Sequence, residues 1–171
     1  LTGGEPLVRN DIIKLIEKLN YKKNITNLKE ITLTTNGTLL KKYAKDLRKN
    51  GIERINVSLD TINPKKYNKI TRFGNIEKVF DGINESLNEG IKIKINTVVI
   101  KGFNENEIET LINWTNSKKI DLTFIEVMPM EETDVSREYQ FTSLTEIFDK
   151  LNKKYNFKKS DNNTGGPARF Y

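Results

Sequence analysis

The chain has 171 residues, 36% hydrophobic and 30% charged, with a net charge of +6 and a mean hydropathy of −0.60. That length suits one domain with a real core, and the 9% of aromatic residues together with clear apolar periodicity excludes a disordered chain. Cysteine and histidine are both absent, which excludes disulfides, a thiol nucleophile, a zinc site of the usual ligands and a histidine general base within these residues. In chain order, Leu1-Thr2 reads as the stub of a strand. Asn10 is placed to cap a helix with Ile12, Ile13, Ile16 and Leu19 on one face. Residues 31–35 read as a strand, and a helix is predicted from about Leu39 to Asn50, stopped by Gly51. Residues 54–59 form the next predicted strand, and Asn63-Pro64 starts a short helix. A longer helix carries Ile76, Val79, Phe80, Ile83 and Leu87 and ends at Gly90. Residues 91–100 read as a strand, Asn104 with Glu107 as the opening of a helix to about Ser117, and residues 122–127 as a strand. Ser143 and Glu146 have the spacing of a capping box for a last helix, and the tail from about Asp161 is turn-rich through Gly165-Gly166-Pro167.

Strands alternating with helices imply a parallel sheet. An open doubly wound sheet and part of a (β/α) barrel both fit that order. Fully buried parallel strands are apolar on both faces, and these are not. Thr32, Thr34 and Asn36 share one face opposite Ile31 and Leu33. Asn56, Ser58 and Asp60 lie opposite Ile55, Val57 and Leu59, and Lys92, Lys94 and Asn96 opposite Ile91, Ile93 and Ile95. One face therefore packs on helices while the other presents polar groups toward the C-terminal strand ends, where barrels and α/β sheets build their sites. A solvated, antiparallel-type sheet is the bland alternative, but the intervening helices leave no room for hairpins.

Chemistry concentrates at the strand ends. Thr2-Gly3-Gly4-Glu5-Pro6 follows the strand stub, with two glycines that let a ligand approach the backbone and a carboxylate that can meet an amine. It matches neither a P-loop nor GxGxxG. Thr34-Thr35-Asn36-Gly37 and Ser58-Leu59-Asp60 end the next two strands with hydroxyl, amide and carboxylate groups. Lys94 falls mid-strand on the polar face, where an anion such as phosphate or carboxylate is its natural partner. A lysine snorkelling out of the strand start is the alternative. Glu126 and Met128 share a face at the end of the last strand. With no nucleophile–base pair in the chain, the site is built to hold a ligand, and a cofactor must supply the hard chemistry.

The segments TGGEPLVR, LTTNG, INVSLD, KINTVV, FIEVMP and GGPARFY, in this order and spacing, resemble the MoaA-type GTP 3′,8-cyclases of molybdenum cofactor biosynthesis, a family of radical S-adenosylmethionine enzymes. The resemblance runs through nearly all of the chain. It implies an incomplete (β/α)6 barrel truncated at both ends, with residues 1–160 as partial barrel core and 161–171 as the start of a C-terminal segment. It implies S-adenosylmethionine binding by Gly3, Gly4, Glu5, Ser58 and the backbone near Met128. GTP would meet Thr34 and Lys94, with Lys94 neutralising phosphate. Asn36, Asn56, Asp60, Asn96 and Glu126 would line the lumen. It further implies two [4Fe-4S] clusters held by cysteine segments before Leu1 and after Tyr171, so that this chain ligates neither and is inactive alone. Thr123 stands where many members carry Arg, and an Arg that commonly precedes the TGGEP strand end would lie before Leu1.

The remaining expectations are broader. The chain opens without Met on a strand end, which points to a part of a longer protein. No stretch near the start has a signal peptide's basic and apolar regions, and no apolar run approaches the ~18 residues of a membrane span, so a cytoplasmic location without membrane contact is expected. Basic residues come as pairs such as Lys22-Lys23 and Lys153-Lys154 rather than as a nucleic-acid patch. The resemblance adds a cyclic pyranopterin monophosphate synthase as recipient of the product, and a homodimer. A radical S-adenosylmethionine enzyme with another substrate, and a cluster-free nucleotide-binding barrel, are the competing readings.

Overall fold

A computed structural model describes residues 1–23, 25–128, 140–161 and 168–171. The regular elements follow in order: α1 (Ile12–Lys23), β1 (Thr32–Thr35), α2 (Leu40–Lys49), β2 (Arg54–Ser58), α3 (Pro64–Thr71), α4 (Ile76–Asn88), β3 (Lys92–Val99), α5 (Ile108–Ser117), β4 (Asp121–Glu126) and α6 (Leu144–Tyr155). Short 3-10 turns at Pro6–Val8 and Glu105–Glu107 precede α1 and α5.

The strands are parallel and lie in the order β1-β2-β3-β4. Each crossover therefore advances the sheet in one direction. Because such crossovers are right-handed, the helices gather on one face. A doubly wound sheet reverses its strand order and covers both faces, so the sequential order decides for a partial (β/α) barrel. Leu1 extends it: Thr34 N donates to Leu1 O at 2.9 Å and the Leu1 amino group to Thr32 O at 2.6 Å, the parallel pattern expected of the strand stub.

The core lies between sheet and helices. Leu33, Ile55, Val57 and Ile95 from the strands are fully buried with Leu40, Ala44 and Leu47 of α2 and Val79 and Ile83 of α4. Such burial, about 25 cal/mol per Å² of apolar surface, is the main force holding α2 and α4 on the sheet. Gly82 sets how closely these helices approach, since a Cβ there would sit 2.7 Å from Gly37 O and 2.8 Å from Leu40 Cβ. Among the described residues, no helix is long and apolar enough to cross a membrane.

Three expected caps differ. Asn10 makes no side-chain hydrogen bond among the described residues, and Ile12 N donates to Arg9 O instead (3.2 Å). Asn104 does not cap a helix: it is 1% exposed and bonds backward to the end of β3. Ser143 makes no capping bond either; the first amide of the helix, Leu144 N, instead donates to Glu126 Oε1 at the end of β4 (2.9 Å). A carboxylate from β4 thus satisfies one of the free amides at the helix start, a different one from the N2 or N3 amide a capping serine accepts. Asn63 caps α3 as predicted, its Oδ1 accepting from Lys65 N at 3.0 Å and Lys66 N at 3.2 Å. The Gly165-Gly166-Pro167 turn and Pro129 lie outside the described residues.

Candidate functional site

Side chains of a strand alternate between faces, so the parallel register lines up polar residues across the sheet. Thr34, Asn56, Lys94 and Asp121 occupy one cross-strand row, and Ser58, Asn96 and Thr123 the next row toward the C-terminal ends. The intervening Leu33, Ile55, Val57, Ile93 and Ile95 are buried against helices, while Thr34, Asn56, Lys94 and Asn96 are only half-buried. The two-faced sheet read from parity is therefore present, and its polar face is the concave side of the partial barrel.

Below the first row, Arg54 forms a two-toothed contact with Glu30, Nε to Oε1 at 3.1 Å and Nη2 to Oε2 at 2.9 Å. Its Nη1 donates to Asn56 Oδ1 at 3.3 Å, and Asn56 Nδ2 donates to Thr34 Oγ1 at 3.4 Å. This chain of bonds orders the row beside Lys94. Burial, and next the positive charge of Arg54, pushes the Lys94 ammonium below the usual lysine range, with Asp121 opposing. No ion pair of the described residues includes Lys94. A half-buried ammonium without a carboxylate partner is primed to accept an anion.

At the C-terminal edge, Gly3 and Gly4 have φ of +98° and +52°, and a Cβ at either would meet nothing within 4 Å. The space is open, so backbone conformation rather than crowding requires glycine there. Glu5 locks this turn to the end of β1. Its Oε1 accepts from Leu7 N at 3.0 Å and Thr35 Oγ1 at 2.6 Å, and its Oε2 from Asn36 N at 2.7 Å. A carboxylate has about four acceptor positions, so capacity for a further donor remains. Ser58 is exposed at the same edge, and Met128 is 72% exposed just past β4. Open glycine backbone, a carboxylate and an exposed hydroxyl suit the amine and carboxylate of an amino-acid ligand. Iron–sulfur ligation does not fit: the chain has no cysteine, and among the described residues no cluster of metal-ligating side chains exists.

Other predicted lumen residues are engaged in the scaffold. Asn36 turns its Oδ1 to Thr38 N (2.9 Å) and Thr38 Oγ1 (2.7 Å). Glu126 caps α6. Asp60 follows β2, and its Oδ1 accepts from Val98 N of β3 at 2.8 Å. Burial raises the Asp60 carboxyl above the usual range, with the Val98 bond opposing. Well below about pH 4 the group is protonated both folded and unfolded. As pH rises through the window up to the raised folded value, the native state holds the extra proton and stability falls. Asp60→Asn keeps the oxygen and removes the charge. Its stability relative to the parent is expected to improve from about pH 3.5 to about pH 7 in urea unfolding; an unchanged or reversed trend counts against this assignment.

Sequence reasoning missed Arg54, although its parity with Asn56 and Ser58 would have placed it on the polar face. It also missed the role of Asn104, whose Nδ2 donates to Asp60 O at 2.7 Å and Val98 O at 2.8 Å while Oδ1 accepts from Ile100 N at 2.7 Å. Nothing in its local pattern distinguishes it from a cap. A cavity of about 280 Å³ lies away from these residues, between α3 and the turn after β3, lined by Lys66, Lys69 and Phe103.

A parallel sheet in sequential order, a glycine-rich turn at the first strand end and a polar concave face define a partial (β/α) barrel, a class whose sites lie at the C-terminal strand ends. Residues 1–115 match the radical SAM superfamily, and the chain belongs to it. Among curated relatives, it is 48% identical over 170 residues to the GTP 3′,8-cyclase of Rhizobium etli (strain CIAT 652), covering 99% of this chain and 49% of that protein. It is 46% identical to the GTP 3′,8-cyclase of Sinorhizobium medicae (strain WSM419), again over 99% of this chain and 49% of the relative. The chain thus spans about half the length of the curated relatives it matches. Among solved structures, native anSMEcpe with bound AdoMet and Cp18Cys peptide superposes with a TM-score of 0.67 at 23% identity, covering 91% of this chain and 46% of that one. Native anSMEcpe with bound AdoMet gives a TM-score of 0.65 at 24% identity, covering 81% and 40%. These similarities establish the shared fold.

Proposed function

We propose that these residues form the barrel portion of a GTP 3′,8-cyclase, which converts GTP to (8S)-3′,8-cyclo-7,8-dihydroguanosine 5′-triphosphate in the first step of molybdenum cofactor biosynthesis. The likeness to GTP 3′,8-cyclases at 48% identity over 99% of the chain carries this reading. In it, Gly3, Gly4 and Glu5 hold the methionine part of S-adenosylmethionine, and Ser58 and the backbone near Met128 hold the rest. S-adenosylmethionine supplies radical chemistry to such a site. The cysteines that ligate the two [4Fe-4S] clusters belong to segments outside these residues, so the isolated chain is inactive. Thr34 and Lys94 bind GTP, with Lys94 meeting the phosphates, and Asn56 and Asn96 line the groove around them. The reading extends to a cytoplasmic protein, functioning as a homodimer, that hands its product to a cyclic pyranopterin monophosphate synthase.

In this reading the two ligands sit apart, because the Gly3-Gly4 turn lies at the strand ends and Lys94 a row deeper. In the whole protein, Lys94→Ala is therefore expected to weaken GTP binding about tenfold to a hundredfold, the worth of a charge-assisted hydrogen bond. S-adenosylmethionine affinity stays within about twofold. Calorimetric titration of each ligand reads both. Equal loss of the two ligands, or no loss of GTP affinity, overturns the assignment.

A further inference from the structure

Lys94 has a second neighbour that the register does not explain. Its Nζ lies 5.4 Å from the ring centroid of Phe170, within reach of a cation–π contact. Phe170 arrives from far along the chain, and its position is built rather than incidental. Ser160 N donates to Phe170 O at 2.9 Å, tying residues 168–171 to the segment after α6. The next residue, Tyr171, packs its ring 4.3 Å from that of Phe148 on α6, and Phe148 in turn stacks at 5.7 Å on Phe157. Helix α6 is itself fixed to β4 through Glu126 and Leu144 N. The aromatic cluster thus anchors residues 168–171 to α6 and delivers Phe170 to the middle of β3.

A ring face attracts an ammonium without neutralising it. A carboxylate at this point would hold Lys94 equally well but would consume its charge. The ring restrains the side chain on one flank and, unlike an ion pair, leaves the ammonium's charge available to an anion. We infer that Phe170 is a positioning residue that pre-orders Lys94 for the phosphates of the nucleotide, so that the 168–171 segment and the anion site act as one unit. The inference rests on the functional reading of Lys94 given above. That reading makes the anion a polyphosphate, and the polar row of Asn56 and Thr34 beside Lys94 supplies hydrogen-bonding groups around it.

The experiment is a double-mutant cycle in the whole protein, read by titration with GTP, inorganic tripolyphosphate and S-adenosylmethionine. Phe170→Leu keeps apolar bulk and removes the ring. It is expected to weaken both polyphosphates about threefold to tenfold, the range of a partly desolvated cation–π contact, and to leave S-adenosylmethionine unchanged. Phe170→Tyr restores parental affinity. In a Lys94→Met background, Phe170→Leu has no further effect, because its route to the anion has gone. Parental affinity in Phe170→Leu, or tighter binding, overturns the inference, the latter making the ring a competitor of the anion. An undiminished loss in the Lys94→Met background also overturns it, since Phe170 then acts through packing alone. Should Lys94→Met bind GTP as the parent does, the functional reading falls and the inference with it. A silent Phe170→Leu beside a weakened Lys94→Met removes the inference only.

Discussion

Asn104→Leu is expected to destabilise the protein by about 4 kcal/mol, well beyond the typical cost of a point mutation. Asn104 is buried, and both ends of its amide are engaged: it accepts from Ile100 N and donates to Asp60 O and Val98 O. Leucine has similar bulk, so the cavity contribution is small and the loss is polar. Those hydrogen bonds disappear together, and part-buried backbone groups at the end of β3 and after β2 lose their partners where solvent reaches them only in part. Asn104→Asp separates shape from hydrogen-bond polarity. It keeps an acceptor for Ile100 N but aims carboxylate oxygens at two carbonyl oxygens. It is expected to be destabilised as strongly as the leucine variant at neutral pH, and less so in acid, where a protonated carboxyl regains one donor. Urea unfolding of the parent and both variants at about pH 4 and about pH 7 reads this. A loss below about 1 kcal/mol for Asn104→Leu would show that these backbone groups find other partners.

Glu5→Ala is expected to cost about 3 kcal/mol of stability and to weaken S-adenosylmethionine binding at least about tenfold. The stability loss follows from the bonds that Leu7 N, Thr35 Oγ1 and Asn36 N donate to the carboxylate, each charge-assisted and partly offset by solvent at this half-buried position. The binding loss follows from geometry. Gly3 and Gly4 hold positive-φ conformations in open space, with nothing within 4 Å of where their Cβ atoms would be to maintain the turn. Glu5 fastens that turn to Thr35 and Asn36 at the end of β1. Without it, the backbone that would face the ligand must be ordered at the moment of binding. Glu5→Gln retains one acceptor oxygen and falls between parent and alanine in both measurements. Intact stability in Glu5→Ala would remove the clamp; a stability loss with intact S-adenosylmethionine affinity would separate the clamp from the ligand site.

Much of the fold was legible because its signals are local. Apolar spacing marked the helices that became α1, α2, α4 and α5, and Asn63-Pro64 marked the start of α3. The alternation of Ile55, Val57 and Ile93, Ile95 with Asn56, Ser58 and Lys94, Asn96 revealed a sheet buried on one face, and with it the row of candidate ligand contacts. The failures share a cause. Ser143 and Asn104 had the chemistry and spacing of caps, but the helix after the first is tied at its first amide by Glu126 of β4, and the second found better partners in the loop after β2 and the end of β3. A helix start leaves several amides free, and acceptors from distant parts of the chain can satisfy them.

Composition, periodicity and parity, all properties of neighbouring residues, were enough to establish an α/β chain with a two-faced parallel sheet, no thiol chemistry of its own, and polar groups gathered at its strand ends. Strand order was not among them. Only the folded chain chose β1-β2-β3-β4 over a reversing order, since crossovers of similar length serve either, and the choice lies in which strand edges pair. Long-range placement likewise turned Glu5 into a clamp, made Asp60 a tie to β3, and set Phe170 beside Lys94 across a wide stretch of sequence. Such contacts depend on the whole packing arrangement, because no periodic pattern links residues so far apart in sequence.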